Sequence, residues 1–174
     1  MLFRSQVLAA ARAREAGAEL TEILGQVSKV RENLILLVAM DSLEYLQRGG
    51  RLGGAVKWVG SLLSIKPLIS INHQTGVVEP DSLARTHKAL FGLLYNKFFE
   101  KLKGGKNLHI AVLHGNAEQE ALSLAEQIRS EHQPVELIVN MTGPVLGINT
   151  GPGALALCGY AEDGQYVRQV PIEN

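Results

Sequence analysis

At 174 residues, 46% hydrophobic and 20% charged, the chain has material for one well-buried soluble domain and is short for two. Its formal net charge of zero argues against bulk nucleic-acid or membrane-surface binding, which relies on a marked basic excess. A single cysteine, Cys158, excludes an intrachain disulfide and a CxxC metal or redox pair, and fits a reducing, cytoplasmic compartment.

The start, MLFRSQVLAAARAREAG, lacks the uninterrupted apolar segment of a signal peptide. No apolar run approaches the ~20 residues that span a bilayer, so membrane contact is expected to be peripheral or nil. Residues 5–16 read as a helix that stops at Gly17. The next stretch carries Leu20, Ile23, Leu24, Val27 and Val30 at helical spacing, one apolar stripe. LILLVAM (34–40) is a continuous apolar run suited to a buried strand. Asp41 then caps a short helix, with Glu44 three residues on, and Gly49-Gly50 ends it.

AVKWVGSLLS (55–64) reads as a second short helix. Pro67 pushes Lys66 toward extended geometry, so PLISI opens a strand, and VVEP returns as a hairpin after the NHQTG turn. Ser82 is placed to cap a long helix that ends at Gly104-Gly105. A strand (107–114), a helix (116–132) and a strand (135–140) follow. The segment 142–161 is Gly-rich and apolar, and reads as two strand halves around a tight NTGPG turn; the last residues read as a tail or an edge hairpin. The expected class is α/β: one domain over 1–174, with a mixed sheet and helices packed on it. Residues 1–33 form helices with no strand of their own before them, and look like the lead-in from a further domain.

The chemistry-bearing motifs are few. There is no G-x-S-x-G elbow, no H-x-x-x-H or H-E-x-x-H spacing and no G-x-x-x-x-G-K-[ST] loop. No enzyme site, cofactor or metal centre is therefore expected. His114 ends a strand just before a helix, where α/β proteins place ligand contacts; a plain histidine in a polar loop is the alternative. GGRLGG (49–54) is either a corner between two short helices or a place where backbone N–H groups and Arg51 meet an anion. Arg48, Arg51, Lys57 and Lys66 form a one-sign stretch to which Arg85 and Lys88 add; it is either a solvated face or a docking patch for an acidic partner. In GINTGPGAL, Asn149 and Thr150 place short polar groups beside Gly151 and Gly153, between apolar walls. That pattern suits a ligand with a small acidic head and a greasy body, or a simple tight turn.

Three stretches, DSLEYLQRGGRLGG, IKPLISI with its downstream Arg85 and KAL, and GPVLGINTGPGALAL, together resemble the DegV family of bacterial fatty-acid-binding proteins. The likeness runs over about residues 6–162. It implies two α/β domains with a long-chain fatty acid between them, the second domain a two-layer unit with a mixed sheet of about six strands. This chain resembles that second domain, and nothing in it matches the N-terminal domain. The resemblance implies a lipid carrier in phospholipid synthesis that presents its acid to a separate fatty-acid kinase, which makes the acyl phosphate. It gives Arg51 and Arg85 roles in kinase interaction and phosphoryl transfer, with Lys88 beside them. It places Asn149, Thr150, Gly151 and Gly153 on the carboxylate side. The family commonly has a histidine where this chain has Asn149, whose amide donates but cannot become cationic. Trp58 and Leu62, in a short helix between glycine breaks, are the candidates for a lid over the acyl chain. About fifteen methylenes at roughly 0.8 kcal/mol each make the tail the dominant source of affinity.

Overall fold

The computed structural model describes residues 2–58, 65–72, 75–103 and 105–162. Within the described residues, thirteen elements follow in chain order. Helices α1 (Leu2–Glu15) and α2 (Leu20–Asn33) pack on each other and lead into strand β1 (Ile35–Ala39). Helix α3 (Glu44–Arg48) and a 3₁₀ turn over Gly53–Trp58 precede β2 (Lys66–Ile71) and β3 (Val78–Ala84). Then come α4 (His87–Leu102), β4 (Leu108–Gly115), α5 (Glu118–His132), β5 (Glu136–Met141), α6 (Pro144–Thr150) and β6 (Ala154–Ala161).

The six strands form one mixed sheet in the order β3-β2-β1-β6-β4-β5. Every neighbouring pair is antiparallel except β4 and β5, whose parallel pairing uses α5 as the crossover. The period-2 alternation of each strand divides the core between two faces. Leu37, Leu68, Ile110, Val112, Leu155 and Leu157 point to one face and pack under Leu90, Leu94 and Phe98 of α4 and Ala121 and Ile128 of α5. Val38, Ile69, Leu113, Ala156 and Cys158 occupy the other, against Ala9 of α1, Val30 of α2 and Leu46 of α3.

The local expectations differ from the structure in three places. Strand β3 continues through Ser82 to Ala84, so Thr86, not Ser82, caps α4: its hydroxyl accepts from the Ala89 amide at 3.2 Å. The residues 78–84 pair along β2 with a bulge between Leu68 and Ile69, and that pairing overrides the helical reading. GPVLGINT is a helix, α6, rather than a strand half, with Pro144 at its first turn where a missing N–H costs nothing. Asp41 caps no helix; α3 starts from Leu43, and Asp41 instead takes Lys66 Nζ at 2.8 Å and His87 Nε2 at 2.7 Å. The second half of the expected 55–64 helix and the expected edge hairpin of the last residues lie outside the described residues.

Candidate functional site

The two glycine motifs meet at one end of the sheet. Helix α3 rises from the end of β1, and α6 from the end of β5; the two helices touch each other. The chain leaves α3 through a tight wrap in which the Gly49 amide donates to the Tyr45 carbonyl at 3.0 Å and the Arg51 amide to the Leu46 carbonyl at 2.9 Å. A side chain on Gly49 would overlap Asn149 of α6. Gly151 ends α6 at φ +75°, and a side chain there would run into the ring of Tyr45 on α3. Each motif therefore supplies the glycine that lets the other approach.

Beneath this junction lies a cavity of about 540 Å³ on the face of the sheet opposite α4 and α5. Its walls are apolar: Leu36, Val38, Ile69 and Val78 from β1–β3, Leu113 from β4 and Ala156 from β6, with Val145 and Leu146 of α6 above them. The polar lining is Arg51, Thr142, Asn149 and Thr150, all on segments beyond the same ends of the strands. Leu36 and Ile71 lie toward the opposite ends of β1 and β2. The volume falls within the range of about 300–1,000 Å³ usual for small-molecule sites.

Of the residues singled out in the sequence, Arg51, Asn149 and Thr150 come together in this lining. Gly151 and Gly153 form the turn from α6 into β6, and the Gly153 amide donates to the Gly115 carbonyl at 2.7 Å. Trp58 packs against the core on this face but is not in the lining. Leu62 lies outside the described residues. Arg85 and Lys88 are exposed at the β3–α4 turn, also outside the lining. His114 is buried, and its Nδ1 accepts the Ala117 amide at 3.3 Å, so it shapes a turn instead of facing the cavity. Sequence reasoning missed the sheet residues of the cavity wall. Their alternation marked them only as core.

The strongest electrostatics lie away from the cavity. Arg12 of α1 meets Glu136 at 2.8 Å, His109 Nδ1 meets the same carboxylate at 3.0 Å, and His109 Nε2 meets Glu162 at 2.8 Å. Burial alone would lower the pKa of His109, but the two carboxylates outweigh it and hold the value above the usual 6.5. Burial would raise Glu136, yet hydrogen bonds from His109 and Arg12 hold it down at about 2. Burial first, and then the Glu162 charge, push Tyr160, which His109 stacks upon, up to about 12. This cluster fastens α1 to the sheet. Among the described residues no group of His, Cys, Asp or Glu is arranged to hold a metal, and no helix is long and apolar enough to cross a membrane.

The family model described as "Uncharacterised protein, DegV family" matches residues 1–162. The chain belongs to the DegV family. It is 32% identical over 137 residues to Protein DegV of Bacillus subtilis, covering 79% of this chain and 48% of that one. It is 32% identical over 156 residues to a DegV domain-containing protein of Halalkalibacterium halodurans, covering 90% and 54%. The structure is similar to that of a fatty-acid-binding DegV family protein from Thermus thermophilus, with a TM-score of 0.82, 30% identity, and coverage of 91% of this chain and 56% of that one. It is also similar to DegV, a fatty acid binding protein from Bacillus subtilis, with a TM-score of 0.79, 29% identity and coverage of 92% and 57%. The chain thus spans about half the length of these DegV relatives, and it shares their mixed sheet.

Proposed function

We propose that this chain binds a long-chain fatty acid and carries it as the non-catalytic partner of a fatty-acid kinase, which forms the acyl phosphate. The observation that carries the binding half is the cavity: an apolar wall of sheet side chains with polar groups gathered at one end. An acyl tail gains about 0.8 kcal/mol per buried methylene from such a wall, set against the cost of ordering the ligand. The likeness to fatty-acid-binding structures supports the same reading. The chain is read as the counterpart of one domain of these relatives, acting in the cytoplasm. Their additional length would close the open side of the cavity.

The kinase half rests on Arg85 and Lys88. Both are exposed beside the strand ends, outside the cavity lining, and their side chains make no ion pair among the described residues. With Arg51 they offer positive charge to an acidic partner surface at the end where the carboxylate would emerge.

Native mass spectrometry of the chain expressed in bacteria tests the cargo. The expected result is a bound mass matching a long-chain acid. A ligand-free spectrum that also stays unchanged when palmitic acid is added would refute it. Pull-down of the kinase with the double variant Arg85→Ala, Lys88→Ala tests the partner surface: capture should fall, and undiminished capture would remove the patch from the proposal.

A further inference from the structure

Helix α1 reaches both the cavity and the buried ion cluster. Phe3, in its first turn, belongs to the cavity wall. Nine residues on, Arg12 is buried: its Nη2 meets Glu136 at 2.8 Å, and its Nη1 donates to the Tyr160 hydroxyl at 3.3 Å. Nine residues of helix rise about 13 Å. Along β4, His109 of the cluster and Leu113 of the cavity wall are four residues apart, also about 13 Å. The spans match, so α1 lies along the sheet face from the cluster to the cavity, a strap beside its open side. The hold on this strap is uneven. Among the described residues of α1, the buried ones are Ala9, Arg12 and Ala13. Two alanines bury one methyl group each, a small apolar hold. The charged hold on the sheet is the Arg12 guanidinium. Past it the helix closes at Gly17, at φ +84°, where no neighbouring atom crowds the chain. A helix with few buried apolar contacts opens locally at a lower free energy than the whole domain unfolds. Glu136 keeps His109 Nδ1 at 3.0 Å with or without Arg12, so that carboxylate stays partnered when α1 lifts.

We propose that α1 is the gate of the cavity: the Arg12 latch holds its Phe3 end against the sheet, and release of the latch opens the route by which ligand enters and leaves. This rests on the fatty-acid reading above and adds to it the element that controls exchange. Arg12 is a positioning residue that acts through α1. Phe3 is the side chain that closes the lip. The latch is polar and the wall it guards is apolar, so ligand exchange and ligand affinity are set by different residues.

Two measurements on the 174-residue chain test this. One is hydrogen exchange of the backbone amides. The other is stopped-flow uptake of cis-parinaric acid, a fluorescent long-chain acid, and its release on mixing with excess palmitic acid. In the parent, amides of α1 should exchange well ahead of those of β1 and β4, which marks local opening. Arg12→Met keeps the length of the side chain and removes its donors. It should speed α1 exchange roughly tenfold or more, with uptake and release of the probe both quickened, so that affinity changes less than either rate. Phe3→Ala should quicken uptake and release with α1 exchange unchanged. Release that Arg12→Met leaves unchanged overturns the proposal. So does faster release with uptake unchanged or slowed, which marks a damaged site and a merely structural role. Exchange of α1 in step with β1 and β4 in the parent also overturns it. If Arg12→Met does not fold, Phe3→Ala decides alone, and unchanged release there overturns the gate. A parent chain that takes up neither acid fails differently: it removes the fatty-acid reading and the gate with it, while the exchange comparison still shows whether Arg12 latches α1.

Discussion

At the scale of single residues, the buried cluster of Arg12, His109, Glu136 and Glu162 sets how stability responds to pH. His109 has its folded pKa raised above 6.5, so its contribution is complete below pH 6.5 and is lost as pH rises through the raised value. Glu136 is lowered from 4.5 to about 2, so its contribution is complete above pH 4.5 and is lost as pH falls toward 2. Stability against urea should therefore be highest between these windows, from about pH 4.5 to 6.5. His109→Gln should lower it by roughly 1–3 kcal/mol, because buried carboxylates lose donors. It should also flatten the alkaline limb. Equally steep limbs in parent and variant would show that another group causes the loss. None of this was legible in the sequence. Arg12 and His109 are 97 positions apart, and nothing in either neighbourhood marks a buried ion pair.

At the scale of elements, the strands were legible because their apolar runs are continuous, as in LILLVAM and the strand that became β4. Helix α6 was not, because a Gly-rich, apolar segment carries no polar face from which to read a period, and its residues Val145 and Ile148 stay exposed. The start of α4 was misjudged for a related reason: Ser82 and Thr86 are both credible caps, and only the pairing of β3 with β2 decides between them. That decision can be measured. Thr86→Ala removes the acceptor for the Ala89 amide and should cost about 1 kcal/mol of unfolding free energy. Ser82→Ala removes only a hydroxyl that donates to the neighbouring Asp81 at 3.1 Å, and should cost clearly less. Equal losses in denaturant titrations of the two variants would contradict the observed boundary. The cavity was half legible in the same way. Its polar edge sits on two contiguous motifs, but its walls come from strands scattered along the chain, and only the sheet assembles them.

At the scale of the whole molecule, the two faces of the sheet are treated unequally. Helices α4 and α5 cover one face with a continuous core. On the other, α1, α2 and α3 cover part, and the cavity opens where they leave off. Apolar side chains around that side remain in water: Phe3 is 82% exposed, Val145 76% and Ile148 69%. Burying such groups is worth about 25 cal/mol per Å², and a cluster of them on one side favours association over dispersal. The zero net charge supplies no long-range repulsion to oppose it. Sedimentation velocity should therefore show mass rising with concentration. Ile148 lies outside the cavity lining, so Ile148→Glu should shift the chain toward monomer without touching the ligand wall. If the parent chain sediments as a single monomer across the whole concentration range, these side chains are tolerated in water and the open side does not drive association. If the parent associates and the variant associates equally, the contact lies on another surface. Added palmitic acid separates the cavity from its surroundings: filling the cavity leaves Ile148 exposed, so association should weaken only in part.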